Sequence, residues 1–137
     1  MPQFGKTSQK RLCTAHPVLV ELFKRVIEHR DCSITEGHRG MEAQKYVFSR
    51  GLSKVDWPDS KHNQIPSLAV DAVPWPEKWS SEKAFLELRI VIRQEWHKMK
   101  QEGATGGYRL RWGGDWDMDG DRNDQSFHDL PHWELIK

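Results

Sequence analysis

The stretch SKHNQIPSLAVD, Ser60 to Asp71, passes from a polar segment broken by Pro66 into an apolar run with one carboxylate inside it. Extended to SLAVDAV, it has the pattern of a strand, with Ala69, Asp71 and Val73 on one face and Leu68, Val70 and Ala72 on the other. An aspartate in such a strand needs a partner, because an unpaired buried carboxylate is costly. A metal ion is one such partner; an arginine or a pair of backbone amides is another. The C-terminal HDLPHWEL, residues 128–135, bears on the choice. PHWELIK reads as a final strand that sets His132, Glu134 and Ile136 opposite to Trp133 and Leu135. His128 and His132 lie one helical turn apart, as on a zinc-binding helix, but Pro131 would disrupt that turn and push Leu130 toward an extended conformation. On an extended chain Asp129 and His132 reach one pocket, the first as a base and the second as a ligand, with His128 at the surface or behind the ligands.

A catalytic zinc commonly takes three protein ligands from His, Asp or Glu and keeps a fourth position for water. His62, Asp71 and His132 suit that set if a sheet brings the two strands together. The trio matches none of the compact zinc motifs, so spacing alone leaves a structural role open for each residue.

The rest of the chain predicts the scaffold. PVLVELFKRVIEH, residues 17–29, places Val18, Leu19, Leu22, Phe23, Val26 and Ile27 along one side at helical spacing, with Pro17 in the first turn. CSITEG reads as a short strand ending at Gly37 that delivers His38 and Arg39, and GMEAQKYVFSRG as a shorter helix stopped by Gly51. Residues 52–67 read as a long surface loop. After Pro74 and Pro76, Ser80 is placed to cap a long helix with Phe85, Leu88, Ile92, Trp96 and Met99 as its buried stripe. YRLRW alternates as a half-buried strand. Helices with a few non-repeating strands predict an α+β fold with a small, mainly antiparallel sheet, as one domain over 1–137.

Composition narrows the function. Lys plus Arg, 21, nearly balances Asp plus Glu, 20, so no global basic field draws the protein to nucleic acid or an anionic membrane. MPQFGKTSQKRL has no apolar run of signal-peptide length, and nothing else approaches a membrane span. Cys13 and Cys32 do not form a metal-type pair and are read as free thiols. Of seven tryptophans, Trp75, Trp112, Trp116 and Trp133 cluster near the candidate site, either as core packing or as flat walls of a groove. In GGDWDMDGDRNDQ, residues Asp115, Asp117, Asp119 and Gly120 reproduce the first half of a calcium loop, with Asp121 and Asp124 close by. The second half fails, since Ser126 stands where a glutamate belongs; an acidic solvated loop and a calcium site are the two readings. Bound calcium would order the segment leading to Asp129 and His132.

Together the Ser60-Lys61-His62 start, the Ala69-Val70-Asp71 finish and the Asp129-x-x-His132 pair resemble the zinc-dependent D-alanyl and L-alanyl-D-glutamate peptidases of bacterial cell walls, which share the Hedgehog/DD-peptidase fold. Within that group the chain is most similar to short phage and prophage endolysins that cut L-alanyl-D-glutamate bonds. The similarity spans nearly the whole length: Phe4-Gly5-Lys6-x-Ser8, Gly37-x-Arg39 before a helix containing Gln44, Trp112-Gly113-Gly114-Asp115-Trp116, and His132-x-Glu134-Leu135. The chain departs from the pattern after His62, where the usual glycine is missing and Pro66 and Ser67 lengthen the interval to Asp71, an insertion a loop absorbs cheaply.

The resemblance implies that His62, Asp71 and His132 hold Zn2+, that Asp129 is the general base, and that Arg39 stabilises the developing oxyanion or holds a substrate carboxylate. It implies a substrate-binding or loop-ordering role for Ser60, and Glu134 becomes a candidate partner for a ligand imidazole. The expected substrate is the peptidoglycan stem peptide. A monomer is expected, without a separate wall-binding domain or stable membrane association, made in the host cytoplasm and reaching the wall at lysis. Alternatives are a D-alanyl-D-alanine carboxypeptidase or dipeptidase with the same chemistry, and a non-catalytic metal-binding domain. The presence of Asp129 counts against the last.

Overall fold

A computed structural model describes residues 2–118 and 129–137. The expected helical segments become α2 (Pro17–Ile27), α3 (Met41–Ser49) and α4 (Glu82–Gln101), preceded by a further helix α1 (Lys6–Leu12), and the alternating ones become strands β1 (Cys32–Glu36), β2 (Ala69–Pro74), β3 (Arg109–Trp112) and β4 (His132–Ile136). Two single 3-10 turns, Lys61–Asn63 and Lys78–Ser80, precede β2 and α4. The strands form one antiparallel sheet of order β1-β2-β4-β3, which is the expected α+β architecture.

Because side chains alternate across a strand, the register divides the sheet into a core face and a working face. Val70 lies opposite Trp133, Trp112 opposite Trp133 on its other side, and Leu110 opposite Leu135. These side chains join Leu19, Leu22, Phe23 and Val26 of α2 and Leu88, Ile92 and Met99 of α4 in one buried cluster. The rings of Trp112 and Trp133 stack with centroids 5.7 Å apart, and the Trp112 indole N–H donates to the Leu130 carbonyl at 2.7 Å. These two tryptophans are therefore core rather than groove wall; Trp75 sits 41% exposed at the surface. On the other face Asp71 pairs with His132, and Arg111 with Glu134. A register shift in β1 between Ile34 and Glu36 falls opposite Asp71, the kind of bulge that bends a strand next to a site.

Two local expectations change. The long helix is capped by Ser81, whose hydroxyl accepts from the Ala84 N–H at 3.1 Å, not by Ser80. Ser80 closes the preceding 3-10 turn, donating to the Glu77 carbonyl at 2.6 Å, so the helix starts one residue later. The sequence also hid α1, since KTSQKRL has Leu12 as its one large apolar residue. That helix is held instead by contact with β1, where the Ile34 N–H donates to Ser8 Oγ at 3.0 Å. Gly37 packs so closely under it that a Cβ there would overlap the Arg11 carbonyl and the Thr14 hydroxyl. Both cysteines are free thiols, Cys13 exposed and Cys32 buried. Among the described residues no helix is long and apolar enough to cross a membrane.

Candidate metal centre and its cleft

Asp71 and His132 become direct neighbours because β2 and β4 pair in register. His62 comes from the segment expected to be a surface loop, which folds back instead. Ser60 Oγ accepts from the His62 N–H at 3.1 Å and Asn63 Oδ1 accepts from the Ser60 N–H at 3.0 Å, a capping box around the Lys61–Asn63 turn. The Leu68 N–H donates to the Lys61 carbonyl and the Arg39 N–H to the His62 carbonyl, pinning the turn to both neighbours. Of the two lengthening residues, Ser67 is fully buried; its N–H donates to the Thr14 carbonyl at 3.0 Å and its carbonyl accepts from the His16 N–H at 2.8 Å. The longer interval thus anchors the loop to the N-terminal segment.

His62 Nε2 lies 3.1 Å from Asp71 Oδ1, and His132 Nδ1 lies 3.3 Å from the same oxygen. One donor atom from each of the three residues lies within 4.8 Å of the others, an arrangement able to hold a metal ion. Each imidazole is oriented from behind. His62 Nδ1 sits 2.7 Å from the Gly37 carbonyl, and His132 Nε2 sits 2.7 Å from Glu134 Oε1. Both acceptors demand a proton, so in the neutral rings the lone pairs of His62 Nε2 and His132 Nδ1 face the shared centre. Arg111 in turn grips Glu134 Oε2 through Nη2 at 2.7 Å and Nε at 3.2 Å. The alternation of β3 could have suggested this pair; the register of β3 on β4 supplies it.

Burial and neighbouring charge oppose one another in the centre. Burial works against ionisation of Asp71, yet the charges and hydrogen bonds of His62 and His132 hold its carboxyl well below the ordinary range. Burial likewise works against a charged His132, and bonds to Asp71 and Glu134 overcome it, pushing that imidazole up to about 10.

Asp129 stands just in front of β4, with Oδ2 3.9 Å from His132 Nδ1. Burial, then the Asp71 charge, push its carboxyl up to about 6, against the pull of His132, His62 and Arg39. Its backbone is clamped by Gly113: the Asp129 N–H donates to the Gly113 carbonyl at 2.9 Å, and the Gly113 N–H donates to the His132 carbonyl at 2.8 Å. A Cβ on residue 113 would stand 2.8 Å from the Asp129 Cβ, so only glycine permits this approach.

Arg39, with its side chain 11% exposed, is not a free surface cation. Glu36 Oε2 holds its Nε at 3.3 Å and Gln44 Oε1 its Nη1 at 3.0 Å, while Nη2 points toward Asp71 Oδ2 at 3.7 Å. Gln44, fully buried, also accepts from Asn63 Nδ2 at 3.2 Å and donates to Ser53 Oγ at 3.0 Å and the Val55 carbonyl at 2.8 Å. All four of its hydrogen-bonding positions are used. It ties Arg39, the His62 turn and the 53–55 wall together, a role that no spacing in the sequence announces.

His62, Asp71, His132, Asp129, Arg39 and Ser60 line one cavity of about 730 Å³, whose walls include Trp79 and Trp116 as well as Glu134. Of the acidic loop, Asp115 is buried rather than solvated, its N–H donating to the Trp112 carbonyl at 3.0 Å, and Asp117 is exposed. Asp119 and Asp121 of the calcium reading, with Asp124 and His128, lie outside the described residues.

With this geometry in view, residues 1–136 match a family described as phage L-alanyl-D-glutamate peptidase. The chain is 30% identical to the L-alanyl-D-glutamate peptidase of Escherichia phage T5 over 142 aligned positions, covering 98% of each chain. In shape it is similar to the crystal structure of the L-Ala D-Glu endopeptidase ChiX of Serratia marcescens, with a TM-score of 0.72 at 22% identity over 98% of this chain and 90% of that one.

Proposed function

This chain belongs to the family of phage L-alanyl-D-glutamate peptidases, and from that premise we propose that it is a zinc endolysin hydrolysing the L-alanyl-D-glutamate bond of peptidoglycan stem peptides. The observation that carries the reading is the convergence of His62, Asp71 and His132 beside Asp129 in a cavity large enough for a peptide.

The donors fit the metal. Two imidazole nitrogens, their rings each oriented from behind, and one carboxylate oxygen are a set that zinc accepts while keeping a position open. When bound, the ion supplies Lewis acidity at the scissile carbonyl and makes a neighbouring water more acidic. The remaining work belongs to the chain. Asp129 Oδ2 takes the proton of the attacking water and passes it to the nitrogen of the departing D-glutamate. Gly113 holds that carboxylate in line. Arg39 Nη2, kept forward by Glu36 and Gln44, offers fixed positive charge to the developing oxyanion or to a substrate carboxylate. Glu134, gripped by Arg111, keeps the proton on His132 Nε2. Ser60 serves the His62 turn as its cap.

Digestion of purified peptidoglycan, with mass spectrometry of the stem fragments, tests this reading. A new N-terminal D-glutamate, lost on chelation and restored by zinc, is the expected result. Release of terminal D-alanine instead would assign a carboxypeptidase, and no release under any metal would leave a binding domain. Calcium at Asp115 to Asp121 is a separate proposal, tested by titrating calcium into chelated protein and following activity and melting.

A further inference from the structure

The cleft has a side chamber. A hollow of about 270 Å³ opens beside it, lined by Trp79, Glu82, Phe85, Asp129, Leu130 and Pro131. Trp79, Asp129 and Pro131 line both spaces, so the hollow begins at the carboxylate assigned as base. Trp79 is 63% exposed, unusual for so large an apolar ring, yet it is braced from behind by the buried Phe85 with ring centroids 5.9 Å apart. An exposed flat ring with two carboxylates at its margin suits a sugar, whose C–H faces stack on aromatics and whose hydroxyls donate to carboxylates. It suits a carboxylate-bearing peptide poorly. The basic residues of the cleft, Arg39, Lys54, Lys61 and the Glu134-bound Arg111, all line the main cavity, where Asp59 also lies, and none of them lines the hollow.

The substrate has the same asymmetry. In peptidoglycan the lactyl group of N-acetylmuramic acid acylates the L-alanine, and the carboxylates lie on the D-glutamate side. The sugar is separated from the scissile bond by one residue and the lactyl unit, roughly 7 Å of extended chain. An enzyme cutting this bond must therefore accommodate a sugar close to its reacting atoms.

We propose that Trp79, with Glu82 and the wall formed by Leu130 and Pro131, is a binding platform for the muramyl sugar on the L-alanine side of the scissile bond. Arg39, Lys54 and Lys61 then receive the carboxylates of the D-glutamate side, so the charge asymmetry of the cleft sets the direction in which the substrate lies. The inference rests on the L-alanyl-D-glutamate reading above.

The test compares two substrates that differ in the sugar alone: the muramyl stem peptide, and the same peptide with an N-lactoyl group on its L-alanine. Wild-type protein loaded with zinc is expected to cut both, with the higher kcat/KM on the muramyl form. Trp79→Ala should lower kcat/KM on the muramyl form about tenfold, mostly through KM, and leave the N-lactoyl peptide within about twofold. Trp79→Phe should keep most of the preference. An equal loss on both substrates, or a wild type without preference, overturns the platform while leaving the peptidase reading intact. A wild type that cuts neither substrate overturns both. Unchanged melting of Trp79→Ala keeps misfolding from imitating the expected result.

Discussion

At the residue scale the centre separates holding an ion from using it. His62 and His132 are buried, and their inner nitrogens face Asp71; Asp129 stands outside that trio. Asp129→Ala is expected to keep zinc and lose about 10²- to 10⁴-fold in kcat. His62→Ala or His132→Ala should lose the ion as well, as metal stoichiometry after dialysis will tell. The pH profile follows from the same carboxylate. Burial and the Asp71 charge hold it near 6 in the metal-free centre, and a bound cation favours its ionised form and draws that value down. Because the ionised form is the base, kcat/KM should fall as pH falls through a value at or below about 6; an acid limb well above 6 contradicts the assignment. Cys32 gives a control far from the site. Burial, and then the charge of Asp31, push its thiol up to about 12. A folded value above the unfolded one favours the folded state fully at pH below about 9, and this contribution disappears as pH rises toward 12. In a native thiol titration at pH 8 Cys13 should react and Cys32 should not, with both reacting in denaturant.

At the element scale the start of α4 and the clamp before β4 carry separate consequences. Ser81→Ala removes a cap worth about 1 kcal/mol and should lower Tm by about 2–4 °C, whereas Ser80→Ala, which leaves the Ala84 N–H capped, should change it by much less. Gly113→Ala is a stricter case, since the added Cβ meets backbone and Cβ atoms of Asp129 rather than the far end of a flexible side chain. Displacing the base by about 1 Å is expected to reduce kcat about 10²-fold, with zinc still bound. Retained kcat in a folded Gly113→Ala protein would show that the close approach does not position the base.

At the scale of the whole molecule, the ion is expected to tie together chain segments remote in sequence. His62 belongs to the turn anchored by Arg39, Asn63 and Leu68, Asp71 to a central strand, and His132 to the last strand. An ion binding the folded state alone raises stability with its concentration, by about 4 kcal/mol at a thousandfold excess over Kd. Chelation should therefore lower Tm by several degrees and zinc should restore it, while His62→Ala should melt the same way with and without chelator. A chelator-insensitive wild type would mean that the cluster holds no ion in solution.

Much of this was legible along the chain. Period-2 alternation put Asp71 among apolar neighbours and His132 with Glu134 on one face, and helical spacing defined α2 and the buried stripe of α4, because both patterns depend on local backbone geometry alone. Long-range packing decided what local pattern could not. Only the pairing of β2 with β4 makes Asp71 and His132 neighbours, and only the β1 edge turns KTSQKRL into a helix. The fold alone sends Trp112 and Trp133 into the core and leaves Trp79 on the cleft. Residues 52–67 read as loop because their order comes from Gln44, Arg39 and Thr14, partners distant in sequence. The sequence by itself determined which side chains could do the chemistry, since composition and alternation are local properties. Tertiary structure decided which of them meet, because convergence within a few ångströms is a property of register and packing.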